Sequence, residues 1–150
     1  MVEIVEAGPE RLREIVRVNE EIFRDMYEEE PYSLKKYREK MEGKNPFIFI
    51  CERKEKIVGD SISFGRNGDL YIWIIGVSEA HRGEGIGHKL LETNEQIARE
   101  NFRGVRVKTY NVSRAMRVLL SKRGYQVVGF ERGDKVKQNA IHYRLENSQI

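Results

Sequence analysis

The chain has 150 residues, enough for one domain with a sizeable core. Its 39% hydrophobic and 34% charged content excludes a disordered or fibrous chain, and no apolar run is long enough to span a bilayer. A formal net charge of +3, from 27 basic and 24 acidic side chains, does not in itself mark a nucleic-acid binder.

The single cysteine, Cys51, rules out an intrachain disulfide. It lies in the apolar run "FIFICE", which reads as a buried thiol rather than a nucleophile. "MVEIVEAG" carries no signal-peptide pattern, so the cytoplasm is the expected location. Without repeats or a linker, residues 1–150 read as one domain.

"VEIVEA" alternates like a strand. A helix is expected to open at Pro9, with Leu12, Ile15, Val16, Ile22 and Phe23 on its apolar face. "EEEPYS" interrupts it, and Ser33 is placed to cap a short second helix that ends at Gly43. Three strands follow, "PFIFICE", "KIVGDSISFGR" and "GDLYIWIIGV". Their connections, Arg53 to Lys56 and "RNGD", are hairpin-short, so the three are expected to pair antiparallel. Ile86, Leu90, Leu91, Ile97 and Ala98 then share a helical face, with Gly104 expected to end that helix. "VRVKTY" reads as a strand and "SRAMRVLLSKRG" as a helix capped by Ser113 and closed by Gly124. "YQVVGFE" and "AIHYRLE" are two last strands, joined by a polar loop. The order β-α-α-β-β-β-α-β-α-β-β is that of an α/β (α+β) domain whose sheet, of about seven strands, mixes parallel and antiparallel pairs.

Between the third of those strands and the next helix stands "RGEGIG", Arg82 to Gly87. A helix N-terminus leaves backbone N–H groups unpaired and carries partial positive charge, which suits a phosphate. Glycines let an anion approach the main chain and allow dihedrals other residues resist. Arg82 adds a fork of donors. No Walker-type Gly-Lys-Ser/Thr follows, and the G-x-G-x-G spacing is not a dinucleotide fingerprint.

Arg82, Gly85 and Gly87 match the Arg/Gln-x-x-Gly-x-Gly/Ala motif of the GNAT superfamily of acyl-CoA-dependent N-acetyltransferases, which the chain resembles over nearly its whole length. "VSEAHRG" is similar to that family's Val-x-Pro-x-x-Arg-Gly, with Glu79 in the proline position. "SRAMRVLLSKRGY" is similar to its Asn-x-x-Ala-x-x-x-Tyr-x-x-x-Gly-Phe segment. The resemblance implies a three-layer fold and acetyl-CoA as cofactor, with no metal. It places the pyrophosphate on the main chain of Arg82, Gly83, Glu84, Gly85, Ile86 and Gly87. The pantetheine would pair with backbone groups of Ile75, Gly76 and Val77, where the fourth strand splays from the fifth, with Ser113 and Met116 on the facing helix. Gly76 inside a strand fits a bulge or a close approach.

The implied reaction is attack of a primary amine, whether a protein N-terminus, a lysine, a polyamine or another small amine, on a thioester in a ternary complex, with the Val77 N–H as oxyanion donor. Ser113 stands where the family's pantetheine-contacting Asn is usual, with Asn111 two residues earlier, and both customary proton-transfer positions depart from the pattern. Leu120 stands where a general-acid Tyr is frequent, and Lys108 where some peptide-acetylating members carry a Glu base. The catalytic acid and base are therefore left unassigned. Tyr110, His142, Tyr143 and His81 are possible substitutes, each with a plain structural reading beside it. Tyr71 and Trp73 share a face of their strand, with core packing as their default. The run Glu28 to Glu30, with Asp25 near it and Tyr27 and Tyr32 flanking, either attracts a cationic amine or is a solvated turn. Two further readings stay open. One is a GNAT-like module that binds CoA or a partner without turnover. The other, a nucleic-acid binder, rests only on Arg114, Arg117, Lys122 and Arg123. The partners expected are the cofactor and an amine acceptor, without nucleic acid or membrane, in a possible homodimer.

Overall fold

The computed structural model describes residues 1–24 and 32–150. The strands are β1 (Val5–Glu6), β2 (Phe47–Arg53), β3 (Lys56–Arg66), β4 (Asp69–Val77), β5 (Gly104–Tyr110), β6 (Gln126–Glu131) and β7 (Ala140–Glu146). The helices are α1 (Leu12–Ile22), α2 (Leu34–Met41), α3 (Ile86–Asn101) and α4 (Arg114–Lys122). The seven strands form one sheet in the order β1-β2-β3-β4-β5-β7-β6. β2, β3 and β4 are an antiparallel meander, as their short turns require. Only β4 and β5 run parallel, because α3 carries the chain back across one face.

The sheet is the middle of three layers. α1 and α2 cover one face, burying Leu12, Ile15, Val16, Phe23, Tyr37 and Met41 against Ile48, Ile50, Ile62 and Ile74. α3 covers the other, where Leu91 and Ala98 meet Leu70, Ile72, Val105 and Val107, with Leu120 of α4. Cys51 belongs to the α3 side and is wholly buried. Strand β3, sandwiched on both faces, carries three buried polar residues, each met by an asparagine from a helix. Asn19 of α1 donates to the Asp60 carboxylate at 3.0 Å. Asn94 of α3 donates to Ser61 Oγ at 3.0 Å and accepts from Ser63 Oγ at 2.7 Å.

Several expectations need correction. β1 is only two residues long. A 3-10 turn at Pro9–Arg11 precedes α1, which starts at Leu12. Gly104 begins β5 and does not end α3; the chain leaves the helix at Phe102, which is extended at φ −132°. A Cβ on Gly104 would stand 2.6 Å from the Leu145 carbonyl, so the glycine serves strand contact. Ser33 caps α2 as expected, accepting from the Lys36 N–H at 3.2 Å. Ser113 holds the N-cap position of α4, but its side chain makes no capping bond, its ψ of 63° lying off the extended region that caps favour.

Candidate functional site

β4 and β5 pair at three positions only, Leu70 with Val105, Tyr71 with Arg106 and Ile72 with Val107. Beyond them the strands part. β4 stays paired with β3 as far as Val77 opposite Gly59. The parting begins at a bulge, for the β3–β4 register slips between Ile62 and Ser63 and leaves Trp73 as the extra residue. The bulge therefore lies at Trp73 and not at Gly76. Gly76 answers the other need, close approach. A Cβ there would stand 2.8 Å from Ile22 Cγ2 and 2.9 Å from Phe23 Cζ.

The orientation of the open edge follows from one hydrogen bond. Ser78 donates its N–H to the Val58 carbonyl at 2.8 Å. Alternate residues of an antiparallel ladder turn toward the partner strand, so Val77 and Ile75 turn their N–H and C=O groups the other way, into the gap beside β5. Gly76, opposite Asp60, turns its groups toward β3. The Val77 carbonyl accepts from Arg82 Nε at 3.4 Å, which ties the arginine to the strand end.

The glycines that follow divide two tasks. Gly83 and Gly85 have φ of +84° and +89°, with nothing within 4 Å of where a Cβ would stand. They are required by backbone conformation, and they leave open space in front of the first turn of α3. Gly87 has φ in the ordinary range, and a Cβ there would approach Leu119 Cδ2 of α4 at 3.3 Å. Glu84 turns out of the cleft. Its carboxylate lies 3.5 Å from Arg53 Nε and 3.1 Å from His81 Nδ1, an anchor for the loop.

A cavity of about 900 Å³ runs from this loop along the gap. Ile75, Gly76, Val77, Arg82, Gly83, Gly85, Ile86, Gly87, Ser113 and Met116 all line it; Glu84 does not. The far end is lined by Tyr71, Trp73, Lys108, Tyr110 and His142, with Lys40, Arg66 and Glu131. Glu131 lies 3.0 Å from Lys108 Nζ and 3.4 Å from His142 Nε2. Burial pushes the Tyr110 phenol above its ordinary value, against the pull of Lys108. Tyr143 faces the opposite way, into the core under α3 and α4. Leu120 is wholly buried in that core and does not line the cleft. Lys40 and Arg66 escaped the sequence reading because each stands in an ordinary charged stretch of α2 or β3. The expectation on Asp25, Tyr27 and Glu28 to Glu30 falls outside the described residues.

The same fold recurs in solved structures. Ribosomal-protein-S18-alanine N-acetyltransferase from Escherichia coli superposes with a TM-score of 0.81 at 16% identity, over 97% of this chain and 94% of that one. An N-acetyltransferase from Staphylococcus aureus Mu50 superposes at 0.79 with 19% identity, over 98% and 99%. Arabidopsis thaliana NAA60, in complex with a bisubstrate analogue, superposes at 0.77 with 14% identity, over 97% and 98%. At such identities these likenesses establish a shared fold, a three-layer acetyltransferase architecture. No curated protein matches the chain in sequence. The sequence profile of the acetyltransferase (GNAT) family matches residues 12–125, and the chain belongs to that family.

Proposed function

We propose that the chain is an N-acetyltransferase that moves an acetyl group from acetyl-CoA to a primary amine by direct attack in a ternary complex. The observation that carries this reading is the parting of β4 from β5 beyond Ile72, which turns the Val77 N–H into a gap leading straight to the glycine loop. The loop residues fit the cofactor, since Gly83 and Gly85 leave open space before the unpaired N–H groups of α3. The main chain of Arg82 to Gly87, Glu84 included, would hold the pyrophosphate, and Ile75 and Val77 would pair with the pantetheine as an added strand. Gly76 would contribute by its missing side chain, and Ser113 and Met116 would wall the opposite side.

Acetyl-CoA supplies an activated thioester, so that a C–N bond forms as a C–S bond breaks and the amine proton must leave while the thiolate gains one. The chain supplies position and charge. The Val77 N–H is aimed where a carbonyl oxygen gains negative charge. Tyr110 keeps its proton at neutral pH and can donate it. His142, held by Glu131, stands on the same wall and can accept one, directly or through water.

Thermal unfolding tests the binding. Acetyl-CoA at a hundredfold its Kd should stabilise the fold by about 2.7 kcal/mol, a rise in Tm of several degrees, with CoA acting similarly and ATP and NAD inert. No shift with either CoA species would overturn the assignment of the loop. The wholly buried Leu120 favours a second reading, a CoA-binding module without turnover. Tight CoA binding with no thiol released by any amine would select it. The remaining parts of the proposal are assembly as a homodimer and a place in the cytoplasm. No helix among the described residues is long and apolar enough to cross a membrane.

A further inference from the structure

The cations of the cleft fall into two groups. Arg82 and Arg114 stand beside the glycine loop and the start of α4. Lys40, Arg66 and Lys108 line the opposite end. Arg66 pairs with Asp69 at the far end of β4 from Val77. Lys108 lies one residue past the Ile72–Val107 pair, level with Trp73 and four residues from Val77, about 13 Å along the strand at 3.3 Å per residue. Phosphates held at the glycine loop account for the first group; in the second, three cations share one acid among the described residues, Glu131 beside Lys108.

The second group is built rather than incidental. Arg66 lies over the Tyr71 ring with its guanidinium carbon 5.1 Å from the centroid, and Lys108 lies 5.9 Å from the Tyr110 centroid. These ring contacts hold both heads against the cleft wall, and Glu131 takes one side of the Lys108 ammonium. Trp73, in edge contact with Tyr37 and stacked on Tyr32, extends the same aromatic wall. Among the described residues, Lys108 meets one acid, Glu131, and neither Lys40 nor Arg66 meets any. Burial, followed by the neighbouring cations Lys44, Arg66, Lys36 and Lys108, holds the Lys40 ammonium below the usual range. Like charges gathered in a partly desolvated cleft destabilise the free protein, and an anion arriving there relieves them.

We infer that the acceptor is a small amine that also carries an anionic group, a carboxylate or a phosphate, which Lys108 meets while the nitrogen faces Val77, with Lys40 and Arg66 adding their positive field behind it. This rests on the transferase reading and names its substrate class. The selectivity is for an anion on the acceptor and against polyamines, whose second cation would meet the cluster.

The test uses the full chain with acetyl-CoA and a panel of matched amines: glutamate and glutamine, aspartate and asparagine, O-phosphoethanolamine and ethanolamine, and spermidine. Thiol release reads turnover, and thermal shift of the CoA-loaded protein reads binding separately. The anionic member of at least one pair should be favoured by about tenfold or more, the scale of one charge-assisted contact. Glutamate against phosphoethanolamine decides between carboxylate and phosphate. Lys40→Glu and Arg66→Glu, both at solvent-reached positions, should abolish the preference and leave stabilisation by acetyl-CoA unchanged, while Arg66→Lys should retain part of it. Equal or better use of neutral amines or spermidine, or a preference that survives both reversals, would overturn the inference. Anionic amines that stabilise the CoA-loaded chain without releasing thiol would uphold the inference and refute the transferase reading. Absence of both binding and turnover across the panel would refute the two together.

Discussion

Asp60 has no contact with solvent, and among the described residues its one side-chain partner is the Asn19 amide. Asn19 also donates to the Tyr37 hydroxyl at 3.2 Å, so one amide joins α1, α2 and β3. Burial pushes the Asp60 carboxyl up to about 7, while the Asn19 hydrogen bond pulls it the other way. The folded value lies above the ordinary 3.8, so between the two the folded chain binds more protons than the unfolded one. Stability therefore falls as pH rises through that window and levels off above it. Asp60→Asn should remove this dependence. Relative to the parent, the variant should gain roughly a few kcal/mol between about pH 4 and about pH 8, measured by urea unfolding at each pH. Equal pH slopes for the two proteins would show that Asp60 is ionised in the fold. None of this was legible in the sequence. An Asp between "KIVG" and "SISF" reads as any strand-breaking polar residue, and only tertiary contact shows that both faces of β3 are covered. Gly83 and Gly85 were legible because their reason is local, a backbone at positive φ. Gly76 was legible as special, but its neighbours Ile22 and Phe23 lie far off in the chain.

Among the elements, β4 carries the most consequence, since on one side it is paired at every residue but the bulged Trp73 and on the other at three residues. The amides of Ile75 and Val77 face the unfilled side. Both should exchange with solvent faster than that of Gly76, whose groups face β3, although all three lie in one strand. Acetyl-CoA should slow the exchange of Ile75 and Val77 selectively. Uniform protection along the strand, with or without cofactor, would contradict the open edge. The order of elements was legible because turns and helix periods are short-range signals. The extent of β4–β5 pairing was not, because it is fixed by a bulge at Trp73 that no local pattern announces. The acid and base positions were legible only as departures. The structure gives a reason for one of them: Leu120 belongs to the core between α3, α4 and the sheet.

For the whole molecule, the two edges of the sheet differ. β1 is a two-residue edge, too short to template another chain. β6, at the other edge, exposes Val127, Val128 and Phe130 at 61%, 49% and 62% of their surface. An apolar strand with one free side is the natural seam for a second copy of the chain, so the proposed homodimer is expected to form there. Sedimentation equilibrium should find a dimer that Phe130→Asp weakens; a strictly monomeric parent would remove this part of the proposal.

The three-pair seam between β4 and β5 also bears on how the molecule assembles. The β2–β3–β4 meander closes through short turns, so its contacts are local and form early. Joining it to β5, β7 and β6 requires α3 to cross the sheet and settle, a contact of much longer range. The cleft exists only once both halves have docked. A ligand that grips both sides of the seam acts after the barrier on the way in and before it on the way out. It slows the separation of the halves while leaving the speed of folding unchanged, so that a bound cofactor acts as a kinetic latch on the fold that made its site.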